Sequence, residues 1–257
     1  MLSLIKSKRF LVALLMGIFG FAAGLIYDIV PLFLFTADEL NYIWQEKSAE
    51  LIPMFVASAS ICCIISFFAY YIGDSLVNSL NIKFEKINKK GLILLLVAGI
   101  LVPIFIGIID IISSNPETFS FVSVFYAMLD TTASVLYSAV MEEVWFRLFF
   151  ITLMIFVFDK VFNKKSKEDE VKVIDKKYII AGVIFSALFL FVFQFNSILN
   201  QYVFNFVVLF RALLVYLIPN LLFGFIYIKH GLKWSIITHI IFIIIHLGVM
   251  PFVVTLI

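Results

Sequence analysis

Long runs of apolar residues, broken by short polar stretches, set the layout of this chain. Seven runs, at about 10–35, 51–73, 91–112, 142–162, 178–196, 205–228 and 234–257, are each long enough to cross a hydrocarbon core of roughly 30 Å as a helix. An eighth segment, about 119–140, is apolar but interrupted by Asp130, Thr131, Thr132, Ser134 and Ser138. The polar stretches assign sides. Lys6, Lys8 and Arg9, then the lysines of 74–90, of 159–177 and of 229–233, mark one face, and the acidic loop 36–50 marks the other. Cytoplasmic segments of membrane proteins carry the excess of Lys and Arg, so the N-terminus is expected in the cytoplasm. The sides alternate properly only if 119–140 does not cross fully. The preferred topology is thus seven spans plus one re-entrant or interfacial segment, with eight full spans as the alternative. Within 74–90, Leu76, Leu80, Phe84 and Ile87 fall on one helical face among lysines, which reads either as an amphipathic surface helix or as a solvated basic loop. Pro103 and Pro219 lie inside spans and are expected to kink them.

Composition agrees with that layout and narrows the class. Of the 257 residues 63% are hydrophobic and 14% charged, with a mean hydropathy of +1.13, more apolar surface than a soluble domain of this size can hide. The expected fold is therefore an all-α polytopic membrane bundle of seven to eight transmembrane helices. Its bilayer lipids are its first partners. Residues 1–118 supply N-terminal helices, and 119–257 the part that carries chemistry. The net charge is only +2 and no basic face interleaves with aromatics, so nucleic acid is not an expected partner. Cys62 and Cys63, adjacent within an apolar run, read as small hydrophobic side chains rather than as a disulfide or a zinc site.

One stretch does not fit a mere span. Met141–Leu148 reads Met-Glu-Glu-Val-Trp-Phe-Arg-Leu and places two carboxylates and a guanidinium at membrane depth. Each charge at the bilayer centre costs roughly 2.5–3.5 kcal/mol on insertion scales, so such groups are usually functional. Glu143 and Arg147 are i and i+4, share a face and can pair. Glu142 sits about 100° further round the helix and is a candidate general base. The structural alternative is an ion pair that locks the bundle, but a pair needs only one of the two glutamates. Two histidines, His239 and His246, lie seven residues apart in the last run and share a face. His230 sits beside Lys229 in a turn and is expected to be solvated. Gln194 near the end of the fifth spanning run is an amide that can bond a neighbouring helix. Asn220, after Pro219, can satisfy backbone freed by a kink.

These residues carry a resemblance. Glu142-Glu143-Val-Trp-Phe-Arg147 resembles the Glu-Glu-x-x-x-Arg motif of the CAAX prenyl protease and bacteriocin-processing family, also called CPBP or Abi. The stretch Asn220–His239, with its Gly231-Leu232 turn, resembles that family's glycine-bearing span and the histidine of its last motif; Ser186–Gln194 resembles the stretch of its middle motif. The similarity covers roughly residues 119–250. Two positions depart from the pattern. The middle motif, normally Phe-x-x-x-His, has Leu190 and Gln194, and the last, normally His followed four residues on by Asn or Asp, has His239 and Ile243.

The resemblance implies an intramembrane endopeptidase cutting near the C-terminus of a prenylated or membrane-bound peptide. Glu142 would activate water, Glu143 and Arg147 would hold it in place, and His239 would help stabilise the oxyanion. Gln194 would bond the water at the position where the family has histidine, and His246 would partly substitute for that histidine. An alternative keeps the fold with weakened catalysis, as a membrane peptide-binding, immunity or regulatory protein. A small-solute carrier is a third class, disfavoured because no paired broken helices recur in two halves. Two glutamates and two histidines could hold zinc. With no His-Glu-x-x-His and with Arg147 beside the carboxylates, hydrolysis without a metal or other cofactor is the expectation.

Overall fold

The computed structural model describes residues 2–35, 37–113, 124–162, 174–199 and 206–250, all helical but for short connections and with no strand among them. Seven helices follow in order: α1 (Leu2–Ile29), α2 (Ala37–Ser79), α3 (89–113), α4 (124–162), α5 (Lys176–Leu199), α6 (206–230) and α7 (232–250). Six of them, α4 excepted, are long and apolar enough to cross a membrane. Helix α4 has ample length, since ~1.5 Å per residue carries it well past a ~30 Å core, but it carries Asp130, Glu142, Glu143 and Arg147. The protein is an all-α polytopic membrane bundle.

Two expectations change. The segment assigned to 119–140 is not separate from the span after it: residues 124–162 form one continuous helix, and 119–123 fall outside the described residues. Its polar side chains had looked like a break, but Ser134 and Ser138 line a cavity. The amphipathic helix within 74–90 is also absent. Helix α2 stops at Ser79, and 82–88 form no helix. Asn81 takes a positive φ of 51° at the turn. This strap docks on the α6–α7 turn, where the Glu85 N–H donates to the Lys229 carbonyl at 2.7 Å and Phe84 packs on Tyr227 with ring centroids 5.8 Å apart. Phe84 thus rests one face on protein while 41% of it stays exposed. His230, expected in solvent, is buried beneath the strap at 5% exposure, with Nδ1 3.2 Å from the Glu85 carbonyl.

Local chemistry sets the helix ends. The Asn88 side chain accepts from the Gly91 N–H at 2.9 Å and starts α3; Asp175 does the same for Lys177 at 3.0 Å at the start of α5. Between α6 and α7 the chain turns on Gly231, whose φ of 90° is a conformation side chains resist. Wide, π-type turns occupy 97–101, 135–151, 213–217 and 244–249. Gly99 and Val215 lie in two of these stretches four residues before Pro103 and Pro219, where the ring would clash with the carbonyl in a regular helix.

Helix α4 runs through the middle of the bundle and touches α1, α2, α5, α6 and α7. Lipid offers no hydrophobic drive between helices, so close approach of small residues does the packing. Gly17, Gly20 and Gly24 of α1 lie against Cys62, Cys63 and Ser66 of α2. A Cβ on Gly73 of α2 would sit 2.7 Å from the Leu148 carbonyl of α4, so only glycine permits that approach. Two apolar clusters flank the acidic residues. One joins Val144, Leu148, Ile151 and Ile155 of α4 to Val183 and Tyr227; the other joins Ala139 to Phe223, Ile226, Phe242 and Ile243.

Candidate active site

Between those clusters the charges on α4 are held by residues from three other helices. Glu143 is fully buried. Its Oε1 lies 2.9 Å from His239 Nδ1 and 3.4 Å from Arg147 Nε, and its Oε2 accepts from the Ser235 hydroxyl. Ser235 and His239 are i and i+4 on α7, so two successive rungs of that helix clasp the two oxygens of one carboxylate. The pairing of Glu143 with Arg147 read from their spacing is present. Arg147, 2% exposed, also donates from Nη2 to Asn220 Oδ1 of α6 at 2.6 Å, and Asn220 Nδ2 reaches Gln194 Oε1 of α5 at 3.5 Å. Phe223 of α6 packs against this cluster, with the His239 ring stacked on it at 4.6 Å and Arg147 Cζ 5.9 Å from its centroid.

A carboxylate oxygen only accepts, so His239 Nδ1 is the donor to Glu143. Behind the pair, Ser66 of α2 takes the Trp145 indole N–H at 2.9 Å and contacts Met141 Sδ at 3.1 Å. Those contacts fix the side of α4 that faces away from the charges.

Glu142 points elsewhere. It lines a cavity of about 420 Å³, together with Gln194, His239 and His246, so four of the six residues singled out in the sequence meet around one space. Glu143 and Arg147 do not line it; they sit behind the wall. The wide turns supply much of the lining: Ser138 and Glu142 from 135–151, Tyr216 from 213–217, and His246 from 244–249. Such turns are rare within helices and recur at functional sites.

Three polar residues of the site were not singled out as such. Ser235 lay one turn before His239 in an apolar run, a signal that was available. Asn220 does more than relieve the kink after Pro219, since it bonds Arg147. Ser138 lies beside Glu142. Thr238, adjacent to His239, bonds its own helix at the Trp234 carbonyl (2.8 Å).

Residues 121–245 match the family described as type II CAAX prenyl endopeptidase Rce1-like. Over this stretch, just under half of its length, the chain is similar to the CAAX prenyl endopeptidase family. The match contains Glu142, Glu143, Arg147, Gln194, Asn220, Ser235 and His239, and it stops one residue short of His246. No curated protein and no solved structure matches the chain significantly. Among the described residues, no three His, Cys, Asp or Glu side chains are grouped so as to hold a metal ion. Glu143, fully buried, already has three partners; Glu142 is the one that faces the cavity.

Proposed function

We propose that this chain is an intramembrane endopeptidase of CAAX type. It hydrolyses a peptide bond near the C-terminus of a prenylated or otherwise membrane-presented peptide, with 119–257 as the catalytic core and 1–118 as N-terminal transmembrane helices. The observation that carries the proposal is the convergence of Glu142, Gln194, His239 and His246 on one cavity, inside a stretch that matches the family.

In this scheme Glu142 takes a proton from a water molecule as the water oxygen attacks the carbonyl carbon. The carbonyl oxygen becomes an oxyanion, stabilised by hydrogen-bond donors fixed in advance. Collapse breaks the C–N bond, and Glu142 returns its proton to the leaving nitrogen. His239 and Gln194 border the reacting groups. Glu143, Arg147 and Ser235 act behind them by fixing the His239 ring and the rotation of α4. His246 faces the same space and partly substitutes for the histidine that the family carries where this chain has Gln194. No metal is invoked: the Arg147 guanidinium beside Glu143 opposes a second cation at the carboxylates. The lysine-bearing loops favour a cytoplasmic N-terminus.

A second reading has an observation of its own. Gln194 and Ile243 both border the cavity, and both replace polar family residues, which favours a relative that holds a membrane peptide without cutting it. Purified protein in liposomes, given a prenylated peptide and its unprenylated twin, separates the two. Cleavage by the wild type that Glu142→Gln abolishes, at unchanged expression, supports the protease. Undiminished cleavage by Glu142→Gln refutes it. Binding of intact peptide without cleavage supports the second reading.

A further inference from the structure

The two amides beside the cavity are joined to the buried cation in a way that fixes how each is turned. Every hydrogen-bonding atom of a guanidinium is a donor. The Asn220 atom 2.6 Å from Arg147 Nη2 is therefore its oxygen. That leaves the Asn220 NH2 facing Gln194, where only an oxygen can receive it, and Gln194 Oε1 stands there at 3.5 Å. The remaining end of the Gln194 carboxamide is its NH2 group. Gln194 and Asn220 both line the cavity, while Arg147, 2% exposed, does not. A buried charge thus orients an amide two links away. A lone glutamine would turn either end to an occupant; this one has its acceptor end already engaged.

We propose that Asn220 is a positioning residue for Gln194, turning its NH2 group into the cavity as a hydrogen-bond donor for the carbonyl oxygen of the bound peptide. The inference rests on the peptidase reading above for the identity of that oxygen, but the amide orientation does not depend on it. The change from histidine to glutamine in the middle motif then converts the position into a fixed donor, aimed where negative charge grows during attack. Proton transfer is left to Glu142.

The test pairs kinetics with a signal that needs no turnover. Asn220→Asp keeps an acceptor for Arg147 but has no proton to give Gln194, so the Gln194 amide rotates and offers its oxygen to the cavity. Removing one oxyanion donor costs about 10²–10³-fold in kcat. Gln194→Met is expected to show that loss with KM within about twofold, and Asn220→Asp a comparable one. Because Asn220 acts through Gln194, the double variant is expected to be no slower than Gln194→Met alone. Losses that multiply in the double variant, or an Asn220→Asp protein with wild-type kcat, overturn the proposal.

The chain has three glutamines, Gln45, Gln194 and Gln201, so protein labelled with 15N in glutamine side chains gives few amide signals, and Gln194→Met identifies the one wanted. In Asn220→Asp the Gln194 NH2 protons are expected to move downfield as they turn to the new carboxylate. A signal that stays in place or moves upfield overturns the relay. If the wild type cleaves no peptide, the peptidase reading falls, and this spectrum alone decides the orientation of the amide.

Discussion

Removing the cation from the buried cluster is the most direct test of how it is held. In Arg147→Met the shape of the side chain is roughly kept, but Glu143 stays at 0% exposure without its nearest cation. At 3.4 Å and an effective dielectric of about 20, the lost attraction is about 5 kcal/mol. Ser235 and His239 remain on the carboxylate and offset part of it, while Asn220 loses the donor at 2.6 Å. Breaking one side of a buried pair typically costs about 3–5 kcal/mol, and that is the expected destabilisation. Glu143→Gln is expected to cost a similar amount, by leaving the guanidinium alone. Replacing both partners removes both charges, so Glu143→Gln/Arg147→Met is expected to recover most of the loss. The assay is reversible unfolding by sodium dodecyl sulfate in mixed micelles, read by tryptophan fluorescence; Trp145 on α4 and Trp234 on α7 flank the cluster. A cycle that is additive to within about 0.5 kcal/mol would show no coupling between the two residues. The view that this pair organises the bundle would then be wrong.

Two further outcomes are expected. Gly73→Leu puts a side chain where even a Cβ lies 2.7 Å from the Leu148 carbonyl; overpacking of this kind costs about 1–3 kcal/mol, and the same unfolding assay should register it, whereas a substitution at exposed Ile72, its neighbour on α2, should not. Peptide cleavage is expected to survive a strong chelator; activity lost to the chelator and restored by zinc would instead assign a metal to Glu142 and the cavity histidines.

Much of this architecture can be read from the chain, for identifiable reasons. The apolar runs locate six helices because length and hydropathy decide what crosses a bilayer. The Glu143–Arg147 pair follows from i, i+4 spacing on one helix. What spacing along one helix cannot supply is which residues of other helices receive these groups. Asn220 is 73 positions from Arg147, and Ser235 is 92 from Glu143. Single polar residues in apolar spans carry no mark of their partners. The segment 119–140 misled because its hydroxyls lower hydropathy as a re-entrant loop would, although Ser134 and Ser138 face the cavity. His230 misled because its neighbours in sequence are basic and polar, while the strap that covers it comes from residues near Glu85, 145 positions away.

The clasp on Glu143 also bears on how such a chain is made. Ribosomes deliver helices from the N-terminus onward, so α4 enters the bilayer before α7 exists. Until residues 232–250 arrive, Glu143 lacks both Ser235 and His239 and has Arg147 as its charged neighbour. A helix made later than α4 is thus the one that completes the acidic centre. A nascent chain halted before Gly231 would present an unfinished polar core to lipid, the kind of defect that membrane quality-control proteases recognise.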